Sequence, residues 1–247
     1  MKYSNVVCFG DSFTNEIQCY EENGVMQLLN ERQYEFKSYP QLLGEHYNCP
    51  WETYGKPGLT LPFVVMELID KIDYILSLEN PLVIFQFGFF FNATLKRGDG
   101  TIFWKDLGGS TNNDGVVNSN DELIDSLSEM DRLSILHWFE NFEEHRNYWY
   151  IEEFKTICKL VNRLKQQPVD MYGLFMHEQK FDIPRSKELF YLNTNGHAFS
   201  DLGLQRINDV FPDIHDSHKS THGNIVLVEK IVEHINAKKK DEQISKF

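Results

Sequence analysis

Val6-Val7-Cys8-Phe9-Gly10-Asp11-Ser12-Phe13-Thr14 decides how this 247-residue chain is read. Apolar residues run unbroken to a glycine and then give way to an acid and a hydroxyl. The pattern predicts a buried first strand that stops abruptly, with the glycine able to take backbone angles that other residues avoid. In an open α/β sheet the carboxyl ends of strands are where ligands bind, so this strand delivers Ser12 to a place suited to chemistry. Taken alone, Ser12 reads more readily as a capping serine at a strand-to-helix turn.

Outward from that stretch the chain alternates strands and helices. The polar segment that follows, to Phe36, is irregular by its pattern. Ser38 to Gly44 predicts a short helix with Ser38 as cap, Pro40 in the first turn and Gly44 just past the end. Trp51 to Tyr54 is a second strand, followed by the glycine loop Gly55-Lys56-Pro57-Gly58 and a helical apolar period from Leu61 to Leu76. Pro81 to Phe87 is the strongest strand and the expected centre of the sheet, because a continuous apolar run suits a strand covered on both faces. Lys96 to Asp121, rich in glycine, asparagine and aspartate, predicts a long loop or insertion of the kind that often governs binding. Two helices are expected over about 121–144 and 150–166. A fourth strand follows at Asp170 to Met176, and a short fifth at Leu189 to Leu192. A last helix starts near Ser220 and buries Ile225, Val228, Ile231 or Val232, and Ile235. This alternation argues for a parallel sheet in an α/β sandwich. Residues 1–237 form one domain, with 238–247 a polar, fraying tail.

Composition narrows the function. The chain is 41% hydrophobic and 25% charged, long enough for a sizeable core. Its net charge of -13 argues against a nucleic-acid partner, which calls for a basic face. Cys8, Cys19, Cys49 and Cys158 are irregularly spaced, without a Cys-x-x-Cys pair, and are expected to be reduced thiols. No apolar run approaches membrane-spanning length, and the four apolar residues before Gly10 are too few for a signal-peptide core, so a cytoplasmic location and no membrane partner are expected.

Near the other end of the chain stands Asp213-Ile214-His215-Asp216-Ser217-His218-Lys219-Ser220-Thr221-His222-Gly223. A serine hydroxyl becomes a good nucleophile when a base takes its proton, and a histidine held by a carboxylate is the usual base. With these residues in view the chain resembles the SGNH/GDSL hydrolase family over most of its length. Gly10-Asp11-Ser12 is similar to the family's first block. Gly58 is similar to its second, and the five-residue step from His218 to Gly223 to its last. The resemblance implies a three-layer α/β/α sandwich with a mostly parallel, flavodoxin-like five-stranded sheet. It implies Ser12 as nucleophile, His218 as base and the Gly58 N–H as an oxyanion donor.

Two positions depart from the family pattern. The aspartate expected three residues before the base is replaced by His215, and of the neighbouring Asp216 and Asp213, Asp216 is favoured as the residue that orients His218. The third block, Gly-x-Asn, is replaced by Gly88 and three phenylalanines, with Asn92 after them as the possible amide donor. Phe89 to Phe91 read as core, and Trp138, Trp149 and Tyr150 as helix packing rather than a sugar platform. The expectation is a serine esterase acting on short acyl or carbohydrate O-acetyl esters, a small molecule or glycan, with no cofactor and no metal. The sequence chooses no oligomeric state. The alternatives are a catalytically silent binding protein on the same fold and a metal-dependent hydrolase in which His215, His218 and His222 share one helical face.

Overall fold

The computed structural model describes residues 3–11, 13–14, 19–22, 25–28, 34–55, 61–87, 92–96, 102–106, 128–164, 168–175, 190–191, 204–212 and 218–244. In chain order the elements begin with β1 (Val6–Gly10), β2 (Cys19–Glu22), β3 (Val25–Leu28), α1 (Tyr39–Tyr47) and β4 (Trp51–Gly55). There follow α2 (Leu61–Asp70), α3 (Ile72–Ser77), β5 (Leu82–Phe87), β6 (Asn92–Lys96) and β7 (Ile102–Asp106). The second half holds α4 (Glu129–Leu164), β8 (Asp170–Phe175), β9 (Phe190–Tyr191), α5 (Ile207–Val210) and α6 (Thr221–Ile244).

The protein is α/β, built on an all-parallel sheet. Four strands of five or six residues lie in the order β4, β1, β5, β8, and the two-residue β9 pairs at the far edge beside β8. β5, buried at every position, has β1 on one side and β8 on the other, in the central place its apolar run predicts. The chain moves from β1 out to β4, then returns past β1 to β5. Parallel crossovers are right-handed, so this reversal sends successive helices to opposite faces and puts the switch in strand order between β1 and β5, whose carboxyl ends are where an open α/β sheet binds ligands.

Burial follows the strand period of two. Val6 and Cys8 of β1, with Leu82 and Ile84 of β5, pack in one cluster with Tyr39 and Leu43 of α1 and with Leu227, Val228, Ile231 and Ile235 of α6. The alternate residues Val7, Phe9, Val83 and Phe85 are as deeply buried. α2, which touches β1, β4 and α4, contributes buried Leu61, Val64, Val65 and Leu68. Among the described residues no helix is long and apolar enough to cross a membrane.

Several elements differ from the sequence expectation. The segment between β1 and α1 contains an antiparallel hairpin, with Glu22 paired to Val25 across a two-residue connection. Gly44 is buried inside α1, and the helix ends instead at Asn48, whose φ of 50° supplies the left-handed cap. Lys71 separates α2 from α3 where one helical period is expected. Residues 92–96 and 102–106 form a second antiparallel hairpin at the start of the expected insertion. The two helices expected over 121–144 and 150–166 are one helix of 36 residues. Ile225 is 41% exposed rather than buried on the last helix. That helix continues through Lys238–Ile244, with Lys239 Nζ 2.8 Å from Asp170 Oδ2, where a fraying tail is expected.

Candidate active site

The turn after β1 is held by its own first residue. Asp11 is 2% exposed, and its Oδ1 accepts the Phe13 N–H at 3.0 Å while its carbonyl accepts the Thr14 N–H at 3.0 Å. These two bonds tie Phe13 and Thr14 back to Asp11. Gln86 of β5 donates Nε2 to the same Asp11 Oδ1 at 2.6 Å and accepts the Thr14 hydroxyl proton at Oε1. The Tyr39 hydroxyl of α1 lies 3.0 Å from Thr14 Oγ1, and the Thr53 hydroxyl of β4 donates to the Thr14 carbonyl at 2.7 Å. Gly10 makes the closeness possible, since a Cβ there would stand 2.1 Å from Thr14 Oγ1 and 2.9 Å from the Gln86 side chain.

The segment from His218 to Ser220 is braced by backbone pairing. The Ile207 N–H donates to the His218 carbonyl at 2.8 Å, and the Ser220 N–H to the Gln205 carbonyl at 3.0 Å, so residues 205–207 brace 218–220 as an isolated antiparallel bridge. Ser220 then starts α6. Its hydroxyl accepts the Gly223 N–H at 3.1 Å, the N-cap bond, and donates to Gln205 Oε1 at 2.7 Å. Gly223 is required by sterics, because a Cβ there would lie 2.2 Å from the Gln205 carbonyl oxygen. The five-residue step from His218 to Gly223 thus has a local cause: a glycine lets the brace for His218 press against the first turn of the helix.

His218, half-buried, sets its ring 4.6 Å from the ring of Phe13, at an interplanar angle of 40°. Phe13 also receives Lys219, whose Nζ lies 5.3 Å from the ring centroid and whose side chain is buried. Burial, reinforced by the nearby Arg206 charge, pulls the Lys219 ammonium down to about 8. On the inner side of the turn, burial pushes the Cys8 thiol and the Tyr39 phenol well up, so both stay protonated at neutral pH.

The structure therefore brings the histidine block of the C-terminal half onto the residue that follows Ser12. Ser12, Gly58, Asp216, Asp213 and His215 lie outside the described residues, as do Phe89 to Phe91. Asn92 is the first residue of β6, in register with Asp106. His218 precedes α6, whereas His222 is on the helix and exposed, so the pair does not share the helical face on which the three-histidine metal reading rests. Trp138, Trp149 and Tyr150 all fall on α4.

Three residues of this arrangement are absent from the sequence expectation: Gln86, Tyr39 and Thr53. Only Gln86 carries a signal in the sequence, as the single polar residue in an otherwise apolar strand. Tyr39 and Thr53 look like ordinary helix and strand residues until α1 and β4 are placed beside β1.

Comparison with protein-family models gives no match, and neither does comparison with curated proteins. Among solved structures, the X-ray crystal structure of protein YXIM from Bacillus subtilis aligns over 96% of this chain, with a TM-score of 0.44 and 11% sequence identity. The chain spans 57% of the length of that protein.

Proposed function

We propose that this chain is a serine esterase of the SGNH/GDSL type, folded as a single three-layer α/β/α domain and acting on short acyl or carbohydrate O-acetyl esters. The observation that carries the reading is the packing of His218 against Phe13, the neighbour of Ser12, at the carboxyl end of β1. A nucleophile and its base must come within hydrogen-bond reach, and this contact joins their two segments across some 200 residues of chain.

In the proposed reaction Ser12 Oγ attacks the ester carbonyl carbon while His218 takes the hydroxyl proton. The N–H groups of Ser12 and Gly58, with the Asn92 amide, stabilise the oxyanion. The tetrahedral intermediate collapses by breaking the bond to the alcohol oxygen, which leaves with the proton from His218. Water then attacks the acyl-serine carbonyl and gives a proton to His218, which passes it to Ser12 Oγ as the acyl–oxygen bond breaks, releasing the acid and the free serine. Asp216 orients the imidazole throughout.

The test is hydrolysis of p-nitrophenyl acetate and longer acyl esters, together with labelling by a fluorophosphonate. Wild type should turn over and label. Ser12→Ala should lose labelling entirely and turnover by about 10⁴-fold or more. Equal hydrolysis by the two proteins overturns the assignment. Absence of both labelling and turnover in folded wild type favours a binding protein on the same fold.

A further inference from the structure

β5 is apolar at every position except Gln86, which is fully buried between Phe85 and Phe87. A primary amide in such a place is unfavourable unless its hydrogen bonds are made, and a leucine or methionine would fill the volume without that demand. The bonds that Gln86 makes are directional. Nε2 can only donate, and it meets Asp11 Oδ1; Oε1 can only accept, and it meets the Thr14 hydroxyl. Because the single Thr14 hydroxyl proton is committed to Gln86, the Tyr39 hydroxyl must be the donor in its contact with Thr14 Oγ1. One side chain on a strand paired along both edges therefore grips the residue before Ser12 and the residue two after it.

We infer that Gln86 is a positioning residue for Ser12: its amide, acting through Asp11 and Thr14, holds the turn from which the hydroxyl attacks. This rests on the esterase reading, in which Ser12 is the nucleophile. Asp11 Oδ1 accepts from both the Phe13 N–H and Gln86 Nε2, so loss of the amide removes one anchor at Asp11 and another at Thr14. Misplacement of a reacting group by about 1 Å can cost about a hundredfold in rate.

Fluorophosphonate labelling rates and p-nitrophenyl acetate kinetics are compared between pH 5.5 and 8.5 for wild type, Gln86→Met and Gln86→Glu, with thermal melting to show that each is folded. Gln86→Met should label about a hundredfold more slowly at every pH, with the loss in kcat and KM changed by less than about threefold. Gln86→Glu keeps the shape but sets a carboxylate against Asp11. It should be as slow at pH 8 and recover relative to wild type as the pH falls and the two carboxyls share a proton. Among the described residues, Tyr39, which shares Thr14 with Gln86, and Cys8 beside Tyr39 are both held protonated by burial across this range. A folded Gln86→Met that labels within threefold of wild type overturns the inference. If that variant does not fold, a Gln86→Glu to wild-type ratio independent of pH overturns it. Failure of wild type itself to label is a different result, which defeats the esterase reading and this inference with it.

Discussion

Lys219, 4% exposed as a residue, sets its ammonium group against the ring of Phe13, beside the proposed base. Burial and Arg206 lower its folded-state value from 10.5 to about 8. Below pH 8 the folded and unfolded chains both carry the proton, and the cost of burying the charge is fully present. Between about 8 and 10.5 the unfolded chain binds more protons than the folded one, so stability rises with pH through that window. One pKa unit corresponds to about 1.4 kcal/mol, which puts the effect at about 2–4 kcal/mol. Lys219→Met should therefore be more stable than wild type in urea at pH 7, and the difference should shrink as the pH approaches 10. The raised values of Tyr47 and Tyr74, each about 12, make stability fall again above pH 10, equally in both proteins. Parallel stability curves for the two proteins from pH 7 to 10 would show that the charge carries no such cost.

At the scale of elements, α4 runs for 36 residues, about 54 Å. The sequence suggests a break between Glu144 and Tyr150 because the apolar stripe stops at Leu136 and resumes only at Phe154, yet no glycine or proline interrupts the backbone, and the helix continues. Asn147→Pro discriminates the two readings. In a continuous helix it should cost about 3 kcal/mol or more, lowering the melting temperature, whereas a loop would tolerate it. The hairpins β2/β3 and β6/β7 were obscure for a different reason. Their strands are four or five residues long and mix polar with apolar residues, so the pairing comes from backbone ladders that leave little mark on composition. β1 and β5 were legible because burial on both faces demands continuous apolar residues, which only the parallel core requires.

At the scale of the whole molecule, α6 ties the two halves of the candidate site together. Its buried face joins α1 and the β1–β5 core in one cluster, and its first turn is braced against the segment that carries His218. Ile231→Ala should cost about 2–5 kcal/mol in chemical denaturation, because its side chain is fully buried in that cluster. Ile225→Ala, on the same helix at 41% exposure, should stay within about 0.5 kcal/mol of wild type. Similar losses from both would mean that α6 is not seated as described.

By itself the sequence determined the α/β class, the central strand and the two blocks, around Ser12 and His218, at opposite ends of the chain. Those are properties of local pattern: period, turn residues and motif spacing, all readable within a window of a few residues. Only the tertiary structure decided that Phe13 meets His218, that Gln86 reaches across from β5 to the turn before and after Ser12, and that Gly223 admits the Gln205 carbonyl. Each of these joins residues far apart in the chain, and their meeting is set by strand order and register, which the packing of the whole core selects.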